Sequence, residues 1–235
     1  MNAAQIQTIK ENLGINLSAE QVLKFKKWQK LFIEYNSHTN LMSRNEVGNL
    51  FEKHLYDCLS IVLWEGFLKA ANGGKLLDIG TGGGFPSVIL AVAFPSLSVT
   101  ANDSRSRKTN FIALVKKELG LENLEVICGR AEDLLPQNAD IVTFRAVGKI
   151  KDTLPLACKH LKNGGYSVFY KAVGAEDETN EALDAYNKST RRTSDCPNDC
   201  PGGGRDAKSF KIVPYKLPID IEHTRNLVVV GGLEY

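Results

Sequence analysis

The sequence predicts an α/β fold: a seven-stranded, mostly parallel sheet flanked by helices, with a helical cap at the N-terminus. Three observations carry this. Residues 1–72 hold only helix-period apolar patterns. From residue 73 short apolar runs alternate with amphipathic stretches, as β-α units around a parallel sheet require. The first of those runs leads straight into a glycine turn and then an apolar helix. Regions 1–72 and 73–235 are expected to form one structural unit.

In the cap, Ile6, Ile9 and Leu13 mark a first helix ending at Gly14. Val22, Phe25, Trp28, Phe32 and Tyr35 recur at spacings of three and four and mark a second, begun by a capping box of Ser18 and Gln21. A third helix is expected from Glu46 to Leu68. Strands are expected at Lys75–Ile79, Ser98–Asn102, Leu124–Ile127, Ile141–Phe144 and Tyr166–Lys171. Helices are expected at Ser87–Phe94, Arg107–Leu119, Thr153–Leu161 and Glu176–Tyr186. The polar, Gly-rich stretch Asn187–Asp206 reads as a loop. Phe210–Val213 and Leu227–Val230 complete the seven strands.

Composition narrows the function classes. Hydrophobic residues make up 43% and charged residues 24% of the 235, so wholesale disorder and fibrous repeats are not expected. The longest apolar run, Val88–Phe94, falls far short of the roughly 20 residues of a membrane span. Met1–Leu17 has no signal-like apolar stretch, so a cytoplasmic location is expected. A formal charge of +2 admits either a nucleic-acid or a small substrate. Cys58, Cys128, Cys158, Cys196 and Cys200 imply no disulfide framework, and Cys196 with Cys200 supplies only half of a four-ligand zinc site, so no metal is expected.

The chemistry lies in Leu76-Leu-Asp-Ile-Gly-Thr-Gly-Gly-Gly-Phe-Pro86. Gly80, Gly82 and Gly84 allow positive φ and a close backbone approach to a ligand. A dinucleotide fingerprint would need a third glycine at position 85, where Phe85 stands, and the actual spacing is G-x-G-x-G. Asp78, two residues before the first glycine, suits an ammonium group better than a pyrophosphate, which it would repel. The next strand ends at Asn102-Asp103, where an acid commonly accepts from ribose hydroxyls. A nucleoside bearing a cation fits both acids, and the pattern resembles the Rossmann-like S-adenosylmethionine-dependent methyltransferases.

Further segments occur in order: Tyr35-Asn-x3-Asn-Leu41, Lys53-His-Leu-Tyr-Asp-Cys-Leu59, Gly129-Arg-Ala-Glu132, Asp140-Ile-Val-x2-Arg-Ala146 and Lys171-Ala172. With the glycine loop they resemble the bacterial small-subunit ribosomal RNA guanine-N7 methyltransferases, once called glucose-inhibited division protein B. The resemblance implies transfer of a methyl group from S-adenosylmethionine to N7 of one guanine in small-subunit (16S) ribosomal RNA, free or in the assembled small subunit. It also implies cofactor contacts at Gly80, Phe85, Asp103, Ala131, Glu132 and Arg145. A monomer is expected, with no membrane or DNA partner. The Cys196–Gly204 loop matches no motif of the family.

N7 of guanine carries a lone pair and no proton, so its methylation needs alignment more than a base. The sequence agrees, having no Asn/Asp-Pro-Pro-aromatic tetrapeptide and no Pro-Cys dipeptide. Arg145, at the end of the fourth strand, is the candidate catalytic residue, positioning a phosphate or base edge; its structural alternative is a salt bridge to Asp140 or Glu132. Glu132 is expected to accept from the adenine amine or to close the pocket, with service to a helix dipole as the alternative. His54 and Asp57 share a helix face and are expected to support the pocket rather than catalyse. Lys171 and Arg225 are candidate RNA contacts, as are the basic segments Arg105-x-Arg-Lys108, Lys149-x-Lys151, Arg191-Arg192 and Arg205–Lys211. Two competing functions remain open: a small-molecule methyltransferase with the same cofactor, and a non-catalytic RNA-binding module.

Overall fold

The computed structural model describes residues 1–172, 174–191 and 209–231. Helix α1 (Ala3–Leu13) starts on a capping box between Asn2 and Gln5 and ends where Gly14 turns left-handed. Helix α2 (Ala19–Thr39) starts on the expected Ser18–Gln21 box and ends at a left-handed Asn40. Both boxes satisfy amide donors that a helix start otherwise leaves unpaired.

The expected helix Glu46–Leu68 is instead a broken path. It comprises α3 (Arg44–Val47), a π-helical turn at Leu50–Leu55, α4 (Tyr56–Leu59), a 3-10 turn at Ser60–Leu63 and α5 (Phe67–Ala71). From Tyr56 to Ile61 every residue is buried. A segment enclosed on all sides need not be amphipathic, so its apolar residues carry no period that marks its breaks.

The sheet contains β1 (Lys75–Ile79), β2 (Ser98–Asp103), β3 (Leu124–Cys128), β4 (Ala139–Arg145), β5 (Leu161–Lys171), β6 (Ser209–Leu217) and β7 (Asp220–Gly231), in the order β3-β2-β1-β4-β5-β7-β6. The first five run parallel, and the β6–β7 hairpin adds β7 antiparallel to β5 and, outside it, β6 antiparallel to β7. Helices α6 (Ser87–Ala93), α7 (Ser106–Leu119), α8 (Ile150–His160) and α9 (Ala175–Arg191) complete the layers. Helix α9 runs through Asn187–Arg191, which the sequence assigns to a loop. Cys196 and Cys200 lie outside the described residues.

Alternation along the strands separates two cores. Leu76, Val99, Ala101, Ile141, Val168, Leu227 and Val229 face one that also contains Ile9, Phe25, Trp28, Phe32, Phe67, Ile89 and Phe111, so cap and sheet share it. Leu77, Ile79, Val142, Phe144, Phe169, Val228 and Val230 face the other, covered by Ile150, Leu154, Ala182 and Leu183 of α8 and α9. Chain order reverses about β1, which lies between β2 and β4. Such a switch point opens a crevice at the strand carboxyl ends, where Ile79, Asp103, Cys128, Arg145 and Lys171 line up.

Candidate cofactor and substrate crevice

Strand β2 holds the glycine loop. The Asn102 carbonyl accepts from Gly80 N (2.9 Å) and Thr81 N (3.0 Å), and Asp103 Oδ2 accepts from Gly82 N (3.0 Å). Asp103 Oδ1 accepts from Arg105 N (3.0 Å), and Lys108 Nζ lies 3.5 Å from Oδ2. Gly80, Gly82 and Gly84 all have positive φ, at 72°, 59° and 89°. Their surroundings differ. A Cβ on Gly80 would lie 2.5 Å from Val147 Cγ2 and one on Gly84 2.5 Å from Val88 Cγ2, so packing alone demands glycine at both. A Cβ on Gly82 would meet nothing nearer than 3.8 Å. The close-approach argument made from sequence for three glycines therefore rests on Gly82.

Asp78 departs from its expected role. Its carboxylate is fully buried, accepting from Thr143 Oγ1 (2.9 Å) and Ser87 N (3.2 Å), so it braces the loop and the start of α6 from beneath rather than facing an ammonium group. Burial pushes its pKa up to about 6, against hydrogen bonds from Thr81, Thr143 and Ser87.

Phe85 ends the loop inside an aromatic cluster, with ring centroids 5.7 Å from Trp28, 5.4 Å from Phe32 and 5.1 Å from His54. Through it the cap backs the crevice. Across from Asp103, Ala131 opens a 3-10 turn, and its carbonyl lies 3.0 Å from the buried His160 Nε2. Glu132 beside it is largely exposed and lies 3.8 Å from Arg130.

Arg145 is the centre of the second half. Its Nε donates to Asp57 Oδ2 (2.7 Å), and its Nη2 donates to the Lys53 carbonyl (3.0 Å) and to His54 Nδ1 (3.1 Å). Its guanidinium carbon lies 5.6 Å from the Phe85 ring centroid, within cation-π range. The acids suggested by sequence are elsewhere. Asp140 accepts from Lys75 N and pairs with Lys162 at the opposite end of the sheet, and Glu132 pairs with Arg130. Asp57 also accepts from Tyr215 Oη (2.6 Å), so α4, β4 and β6 meet on one buried carboxylate.

An arginine only donates, so His54 Nδ1 must accept and the proton sits on Nε2. That Nε2 is buried with no hydrogen-bond partner among the described residues. Burial, then the Arg145 cation, pushes the His54 pKa down to about 4. His54 is thus a neutral wall residue, its acceptor nitrogen already engaged.

Lys53, His54, Arg145, Val147, Lys171 and Arg225 are among the residues lining a cavity of about 430 Å³. Val147 also packs on Gly80, so cavity and glycine loop adjoin. Lys171 reaches the cavity with its charge already paired: Nζ donates to Glu178 Oε1 (2.8 Å) and the Gly148 carbonyl (3.1 Å), and Glu178 also holds Ile150 N. A larger cavity of about 640 Å³ lies at the far end of the sheet, beside Lys69, Gly74 and Asp140, away from all these groups. Among the described residues no cluster of His, Cys, Asp and Glu could hold a metal, and no helix is long and apolar enough to cross a membrane. Sequence reasoning missed the Asp57–Arg145 pair, Tyr215 and Glu178. Of these only Asp57 had a signal, its place in the Lys53–Leu59 segment.

The arrangement fits an adenosyl sulfonium ligand. Open space above Gly82, a carboxylate at the end of β2 and an aromatic wall at Phe85 offer a polar bed for a nucleoside beside a cationic cavity.

Comparison with known proteins agrees. A family model described as rRNA small subunit methyltransferase G, GidB, matches residues 21–199. A ribosomal RNA small subunit methyltransferase G from Streptococcus pyogenes serotype M49 is 37% identical over 222 residues, covering 90% of this chain and 92% of that one. One from serotype M3 is 40% identical over 184 residues, 76% of each. Among solved structures, an S-adenosylmethionine-dependent O-methyltransferase from Thermotoga maritima superposes with a TM-score of 0.51 at 17% identity, covering 79% of this chain and 69% of that one. A candidate O-methyltransferase from Klebsiella pneumoniae gives 0.55 at 11%, covering 97% and 96%. These two share the fold, while the sequence matches settle the family: the chain belongs to the rRNA small subunit methyltransferase G family.

Proposed function

We propose that the chain methylates N7 of a guanine in small-subunit ribosomal RNA, with S-adenosylmethionine as donor. The observation that carries this reading is the adjacency of two unlike spaces, a nucleoside bed over Gly82 and a cationic cavity around Arg145, joined at Val147 and Phe85. When bound, S-adenosylmethionine supplies an electrophilic methyl on a sulfonium. Asp103 and Glu132 would hold its adenosine, with Ala131 between them, and Gly80–Gly84 would lie under the methionine end. Arg145, fixed by Asp57 on one edge and by Lys53 and His54 on another, would orient the guanine or an adjacent phosphate. Arg225 would contact the RNA backbone, and Lys171 would do so only by exchanging Glu178 for a phosphate.

Asp57 and His54, the two titratable groups that touch Arg145, both already accept its hydrogen bonds, which argues against proton abstraction by either. Neutral N7 needs none, so positioning is the work left to the protein. The test is incubation of unmethylated small subunits, and of their RNA alone, with methyl-labelled S-adenosylmethionine, followed by strand scission at N7-methylguanine. Label at one such guanine is expected; label on an exocyclic amine, or in small molecules only, overturns the reading.

A further inference from the structure

We propose that Lys108 is a positioning residue of the cofactor site, holding Asp103 in place of the ribose until the cofactor displaces it. Asp103 Oδ2 receives Gly82 N at 3.0 Å and Lys108 Nζ at 3.5 Å, and Oδ1 receives Arg105 N at 3.0 Å. Both backbone donors serve the glycine loop and the entry to α7, and remain when a ligand arrives. The lysine is the exchangeable partner. Its Nζ is also the atom nearest to where a Cβ on Gly82 would stand, at 3.8 Å, so the ammonium overhangs the open part of the loop.

Nothing in α7 itself explains a cation here. Lys108 sits in the first turn, where the helix dipole disfavours positive charge, and no acidic residue accompanies it in that turn. Its side chain is about a quarter exposed, so it can swing into solvent without opening the core. Ribose hydroxyls would then take the Oδ2 site it vacates. The inference rests on the cofactor reading above and concerns the displacement only.

The test is calorimetric titration of S-adenosylhomocysteine and of adenosine, a neutral ribonucleoside, into wild type, Lys108→Met and Lys108→Gln over a range of salt. A partly exposed ion pair is worth about 1 kcal/mol at most, so removing it should tighten binding by about two- to fivefold. Adenosine affinity of the wild type should rise with salt, because screening weakens the competing pair, and should be flat in both variants. A merely structural lysine would give no such difference in salt response. Weaker binding in the variants, or equal affinity and equal salt response, overturns the inference. Failure of the wild type to bind S-adenosylhomocysteine overturns the cofactor reading instead.

Discussion

Arg145 and Asp57 are 88 residues apart in sequence and 2.7 Å apart in space, and their ion pair ties the strand carrying the candidate catalytic group to the cap. Asp57 is completely buried, and the arginine side chain is 14% exposed. The pair sets the direction of a planar donor, and Tyr215 completes the carboxylate from the other side.

Removing one partner of this pair should be costly. Asp57→Asn leaves a poorly compensated guanidinium and is expected to lose about 3 to 5 kcal/mol of stability by chemical denaturation. Tyr215→Phe, which removes one hydrogen bond to a charged group, should lose about 1.5 to 3 kcal/mol. Arg145→Lys should be impaired in methyl transfer nearly as much as Arg145→Ala, because an ammonium cannot reproduce three bonds from two edges of a fork. Wild-type single-turnover rates in Arg145→Lys would confine Arg145 to holding the fold.

The glycines should separate by mechanism. Gly82→Ala meets no clash, so it should cost only the left-handed backbone penalty of about 1 to 2 kcal/mol, keep its circular dichroism and lose cofactor affinity in calorimetry. Gly80→Ala and Gly84→Ala should be less stable than Gly82→Ala, since each also drives a methyl into a valine. Undiminished S-adenosylhomocysteine binding by folded Gly82→Ala would remove the close-approach argument.

Sequence made one half of the site legible and hid the other. Gly80–Gly84, Phe85 and Asp103 lie on consecutive elements whose strand, turn and helix patterns are local. The Asp57–Arg145–Tyr215 junction depends on a short cap helix, a parallel strand and an antiparallel hairpin meeting, which no local pattern encodes. Asp140 and Glu132 attract attention as partners because they lie close to Arg145 in sequence, yet β4 carries Asp140 to its far end. The outer half of β7 is hidden for a different reason: beyond β5 it pairs only with β6, and Asp220–Asn226 lacks a buried apolar face.

Stability should record the state of two buried groups with opposite sign. The His54 pKa near 4 lies below its usual 6.5, so the unfolded chain binds more protons between those values and stability rises with pH there. The Asp78 pKa near 6 lies above its usual 3.8, so its contribution falls as pH rises across that interval. The stability difference between wild type and His54→Asn, followed by urea denaturation, should therefore climb from pH 4 to 6.5 and level off above 7. The difference between wild type and Asp78→Asn should fall from about pH 4 to 6. A flat His54 difference would contradict its neutral, arginine-bound state.

The claim that this site aligns a lone pair and abstracts no proton is tested most directly by the single-turnover rate of methyl transfer to small subunits between pH 6.5 and 9. With N7 attacking unaided and His54 neutral throughout, the rate should be flat, and His54→Asn, which keeps an acceptor for Arg145, should retain that flat profile. A log-linear rise with pH that disappears in His54→Asn would show a general base at work and contradict the account.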